Sequence, residues 1–165
     1  MSYLILVLRL IHILAGVFWV GAALMMTLYI GPAASATGEA GQKFMQHFIS
    51  KTNIQKMLMA AGGTTVIAGA ALYVDKPAAW FSSGAGIGFG IGASFAIVGF
   101  AFGILISRNM RVLGQLGAQI QGQPNPDELA QMQRLQGLQR SYSTINSISL
   151  ILAVAFMATA RYFTF

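Results

Sequence analysis

Residues 3–30 read YLILVLRLIHILAGVFWVGAALMMTLYI. In this run only Arg9 and His12 interrupt a surface of aliphatic, aromatic and small side chains. A helix needs roughly 20 apolar residues to cross the hydrocarbon core of a bilayer, so the stretch is long enough to span one. Three further runs of the same kind follow at about 54–74, 84–106 and 145–163. The expectation is a single integral membrane domain over residues 1–165, all-α, folded as a four-helix transmembrane bundle with spans at about 3–30, 54–74, 84–106 and 145–163.

Composition agrees. Charged residues make up 8% of the chain and hydrophobic ones 56%, against about 25% charged in an ordinary soluble domain; mean hydropathy is +0.66. The formal net charge of +6 comes from cations scattered between the apolar runs. That distribution fits membrane topology and anionic head groups, and nucleic acid is not expected as a partner. There is no cysteine, which excludes disulfides, thiolate metal sites and covalent c-type haem attachment. Ala34-Ser35-Ala36 looks like a signal-peptidase site. However, no basic region precedes the apolar run, which is also far longer than the usual 7–15 residues of a signal peptide, so a retained helix is expected.

Loop charge sets the expected orientation. Lys43, Lys51, Arg108, Arg111, Arg134 and Arg140 fall in the first and third loops, with Lys56 at the edge of the first. The second loop carries Lys76 alone. The positive-inside rule then puts loops one and three in the cytoplasm and both termini outside. In loop one, Phe44, Met45, Phe48 and Ile49 oppose Lys43, Gln46, His47, Ser50 and Lys51, the pattern of an amphipathic helix on the membrane surface. In loop three, Leu113, Leu116 and Ile120 prolong the third span. A turn at 121–126 follows, with Asn125 as N-cap and Pro126 at the first helical position. Leu129, Met132, Leu135 and Leu138 then form one stripe, so the third and fourth helices are expected to extend together into the cytoplasm.

Span three carries glycines at 84, 86, 88, 90 and 92 and again at 99 and 103. No strand precedes them and no Lys-Ser/Thr follows, so they are not a phosphate loop. Their four-residue spacing suits close helix packing, and Gly86, Gly90, Gly99 and Gly103 form a candidate face for a membrane-protein partner or a second copy.

The membrane histidine carries the functional argument, because an imidazole and a guanidinium within a span are costly and mark a candidate site. Counting depth in an antiparallel bundle sets Tyr73, Ser94 and Met157 near the level of His12. Arg9 is one turn further out on the same face and Trp19 two turns further in. Four readings of His12 follow: a hydrogen bond to Tyr73, Ser94 or a carbonyl; an axial bond to haem b, with Met157 or nothing opposite; copper ligation, which calls for more soft donors than the dispersed methionines supply; or a proton relay. His47 lies on the polar side of the loop-one helix, roughly 27 Å or more from His12 along the helix axis, too far to share a metal. The four acids offer no catalytic pair: Asp127 and Glu128 belong to a helix start, Asp75 adjoins Lys76, and Glu39 lies in a linker. A second polar cluster, Tyr142, Ser143, Thr144, Asn146, Ser147 and Ser149, opens span four and reads as interhelical bonding or as a quinone head-group site.

The segment Leu10-Ile-His12-Ile-Leu-Ala-Gly16-Val-Phe-Trp19-Val-Gly21, followed by Pro32, resembles the first span of small bacterial membrane proteins of the copper-resistance protein D-like group. The membrane part of a bacterial urate oxidase shares that likeness, and the HemJ-type protoporphyrinogen oxidase shares it more distantly. The resemblance covers residues 8–33. It implies a bacterial inner membrane location and either copper passage or haem b held by His12, with Lys56 the candidate counterpart of a HemJ-type lysine. Electron transfer or porphyrin-linked redox chemistry is then the expected function. The alternatives are a non-catalytic accessory subunit of a larger membrane complex and a copper transporter.

Overall fold

The computed structural model describes residues 3–120 and 124–164, so residues 121–123 of the expected turn lie outside the described residues. The described chain is all-helical. Its helices are α1 (Tyr3–Met25), α2 (Gly31–Ala36), α3 (Gly38–Lys51), α4 (Ile54–Val74), α5 (Gly84–Gln119) and α6 (Pro126–Thr159). Four helical stretches are long and apolar enough to cross a membrane: 3–36, 54–74, 84–119 and 126–162. Side chains such as Leu14, Val17 and Ile67 are more than half exposed around them. This inverts a soluble bundle and fits a lipid surround.

The first helix does not stop at Gly31-Pro32. It passes through one π-helical turn, Met26–Ile30, and continues as α2. A proline within a helix lacks an N–H and crowds the carbonyl four residues back. The wider turn just before Pro32 shifts the pairing to a five-residue step, with the Gly31 N–H donating to the Met26 carbonyl. The chain reverses only at Gly38, whose φ of +58° suits glycine. In α3 a side chain at Gly41 would collide with the Ala34 carbonyl, so α2 and α3 close tightly on each other. Helix α3 is therefore longer than its Phe44–Ile49 stripe suggested, and an exposed Glu39–Lys43 ion pair at 2.7 Å runs along it.

Two seams hold the long helices. In the first, α1 and α4 run antiparallel and pair a large residue with a small one at successive levels. Trp19 lies against Gly62, where a Cβ would come within 2.9 Å of its ring; Gly16 faces the Thr65 methyl; and the His12 ring lies over Gly69. In the second, α5 presents Gly88, Gly92 and Gly99 to Phe163, to Met157 with Phe156, and to Leu150, respectively. A small core joins the seams: Trp19, Ala23 and fully buried Leu150, with Phe100 edge-on to Trp19 at 6.0 Å.

Beyond the apolar run, α5 and α6 continue side by side. Buried Asn109 donates to the Leu135 carbonyl and to Gln139 Oε1, each at 2.9 Å. At the start of α6, Asn125 accepts from the Glu128 N–H at 2.9 Å and its own N–H donates to the Glu128 carboxylate at 2.8 Å. This capping box satisfies two donors that a helix start otherwise leaves free. Leu129 stands outside the expected stripe and is exposed, because Glu128, Met132, Leu135 and Leu138 take the half-buried positions.

Candidate functional site at the α1–α4 seam

His12 is half-buried on the face of α1 that packs on α4. Its Nδ1 donates to the main-chain carbonyl of Thr65 at 2.8 Å. A carbonyl can only accept, so Nδ1 carries the proton. Thr65 itself is buried, its hydroxyl donates to the Ala61 carbonyl at 2.8 Å, and its own carbonyl oxygen, with two lone pairs, can take the His12 donor in addition to a bond within α4. Four residues on, Gly69 makes room: a Cβ there would come within 2.9 Å of Cε1 and 3.0 Å of Nδ1 of the imidazole. One bond and one missing side chain therefore set the ring's orientation. In the neutral imidazole, Nε2 is then left with its lone pair, and no protein donor among the described residues bonds to it.

The other expected neighbours are placed differently. Tyr73 forms no hydrogen bond to His12. It sits about one turn further out, in an aromatic cap with Trp80 at 5.7 Å and Phe81 at 6.0 Å, and its hydroxyl is buried without a hydrogen-bond partner. Ser94 is exposed, and its hydroxyl bonds back to the Gly90 carbonyl of its own helix at 3.0 Å. Met157 belongs to the α5–α6 seam, 3.2 Å from where a Gly92 Cβ would lie. Trp19 is 4% exposed in the core and serves as packing. Lys56 is exposed in the first turn of α4, about 14 Å along the axis from Thr65. His47 is exposed on α3, away from the seam.

Arg9 is exposed and lines a groove of about 310 Å³ with Leu4, Ile5, Leu8, Leu72, Asp75 and Lys76, one turn beyond His12. It forms no ion pair among the described residues. No group of three or more His, Asp or Glu side chains converges among the described residues. Sequence reasoning missed Thr65 and Gly69. The detectable signal was the seven-residue Gly62–Gly69 spacing in span two, which places both on one helix face.

The partner face proposed for α5 divides. Gly86 is covered by the Trp80 carbonyl and Gly99 by Leu150, so both serve the chain's own packing; Gly90 and Gly103 meet nothing within 4 Å. In the polar cluster midway along α6, Tyr142 packs edge-on to Phe102 and Thr144 bonds its own backbone. Asn146 Oδ1 and Ser147 Oγ are buried without partners, so the expected interhelical bonds are not formed by these atoms. No protein-family model, curated protein or solved structure matches the chain.

Proposed function

We propose that this multi-pass membrane protein presents His12 as a single nitrogen ligand to a b-type haem, or a similar redox cofactor, in electron transfer or porphyrin-linked redox chemistry. The observation that carries the reading is the Nδ1–H bond from His12 to the Thr65 carbonyl, with Gly69 clearing the ring. Metal-ligating histidines commonly donate their second nitrogen to a carbonyl or carboxylate, which fixes the tautomer and raises the basicity of the first. Apolar side chains of α1 and α4 line the groove one turn beyond His12, where Arg9 and Lys76, beside Asp75, would supply cations for the carboxylates of a porphyrin. A bound haem would supply one-electron chemistry, and the identity of its axial ligand would help set the potential.

The chain's own residues do the rest. Thr65 holds the tautomer, Gly69 admits the ring, and the α1–α4 seam limits access of water. Met157 lies on the other seam, so the reading takes His12 as the sole protein ligand. Copper passage is less well supported, because no group of three or more His, Asp or Glu side chains gathers among the described residues. The resemblance of residues 8–33 to the copper-resistance protein D-like and HemJ-type proteins favours a bacterial inner membrane location. The basic loops favour termini on the outer side, α3 on the inner surface, and a cytoplasmic extension of α5 and α6. An accessory-subunit role is the second reading, favoured by the open glycines Gly90 and Gly103.

The test is the absorbance of protein purified in detergent from haem-supplied cells. A Soret band is expected, lost in His12→Ala and kept in Met157→Leu. Absence of the band, or its persistence in His12→Ala, overturns the reading.

A further inference from the structure

Three exposed arginines on the α5–α6 extension, Arg108, Arg111 and Arg134, lack a counter-ion among the described residues. Asn109 bonds to Leu135 and Gln139, which fixes the register of the two helices at this level. Arg108 directly precedes Asn109, and Arg134 directly precedes Leu135. In an antiparallel pair, the residues just before two facing positions project on the same flank, because each helix turns about 100° per residue and the two run in opposite directions. Arg111, three residues after Arg108, lies about 60° further round α5, next to Arg108 and turned away from α6. Arg108, Arg111 and Arg134 are all exposed and form no ion pair among the described residues. The nearest acids along α6, Asp127 and Glu128, lie about two turns away, and Glu128 is engaged in its capping box. Arg108 is two residues past Ile106, the end of the apolar run, and so reaches the level of lipid head groups.

We propose that this triad is a binding site for the phosphate of an anionic phospholipid of the facing leaflet. The guanidinium fork matches phosphate oxygens two at a time, and a cluster of cations just past a span is drawn to anionic lipid. The Asn109 clamp sets Arg108 and Arg134 on one flank with Arg111 beside Arg108, whereas scattered loop charges would spread around the protein. The site stands on the membrane reading of the four helices and is independent of His12.

The experiment follows lipid retention by the full chain in neutral detergent, by native mass spectrometry, with phosphatidylglycerol, phosphatidylcholine or inorganic phosphate added. Phosphatidylglycerol is expected to be retained at least about tenfold more strongly than phosphatidylcholine, with the preference falling as salt rises. The triple variant Arg108→Gln/Arg111→Gln/Arg134→Gln should lose the preference, while Arg161→Gln at the other end keeps it. If the triple variant does not fold, Arg→Lys at the same positions retains the charge and should retain phosphatidylglycerol more weakly than the parent. Equal retention of the two lipids, an effect matched by inorganic phosphate, an unchanged lysine variant, or capture of an added acidic polypeptide in place of lipid would each overturn the proposal.

Discussion

At the scale of single residues, the His12 ring is held by one acceptor and one absence. The Thr65 carbonyl takes its proton and Gly69 leaves the space it occupies. A β-branched residue at position 69 would drive carbon into the imidazole, so Gly69→Val should break the Nδ1 bond and push the ring out of the seam. Overpacking of this kind destabilises by about 1–3 kcal/mol. A lowered melting midpoint is expected together with loss of any Soret absorbance, while Gly63→Ala, 3.8 Å from Phe100, should leave both near the parent values. An unchanged midpoint in Gly69→Val would show that the ring does not need the glycine. His12 was legible in the sequence as an imidazole within a span, but its partner was not. Depth counting from the ends of the spans placed Tyr73 at its level, yet α4 meets His12 about one turn nearer its start, and Tyr73 turns into the aromatic cap instead. A main-chain acceptor such as the Thr65 carbonyl leaves no mark on residue identity, so this bond could not be read from composition or spacing.

At the scale of elements, the apolar runs were legible because length and hydropathy alone specify them. The N-cap at Asn125 was legible because Asn-Pro followed by acids has a direct backbone meaning. Pro32 follows the first apolar run without ending the helix, because the π-helical turn before it shifts the hydrogen-bond pairing, an adjustment that depends on geometry and not on residue type. The glycines of α5 show the same limit. Their spacing announces close packing without saying which face is used. The structure assigns the α6 seam to Gly88, Gly92 and Gly99 and leaves Gly90 and Gly103 open. The consequence is a contrast of sign within one helix. Gly99→Ala brings a methyl to within 2.8 Å of Leu150 Cδ2 and should destabilise by about 1–3 kcal/mol. Gly90→Ala meets nothing within 4 Å and should be neutral or stabilising by about 0.5–1 kcal/mol, because alanine restrains the backbone more than glycine. Melting midpoints of the two variants in one detergent decide it, and equal losses would remove the distinction between the two faces.

At the scale of the whole molecule, orientation links the site to its surroundings. The contacts Trp19–Gly62 and Gly99–Leu150 between antiparallel helices, with Trp19–Phe100 between the parallel α1 and α5, fix which ends of the four helices lie together. They gather the α5–α6 extension and the start of α4 at one end, and the His12 level, Arg9, Lys76 and Arg161 towards the other. The end with more cations is the one expected to stay in the cytoplasm, which would open the groove beside His12 towards the outer leaflet. Because the chain has no cysteine, single introduced thiols report topology without a background. Ser82→Cys, exposed in the short helical turn between α4 and α5, should react with a membrane-impermeant maleimide in intact cells. Gln131→Cys, exposed on the extension, should react only after permeabilisation. The reverse pattern would turn the molecule over. The His12 groove would then face the cytoplasm, any electron partner would have to be sought there, and the arginine triad would meet the outer leaflet.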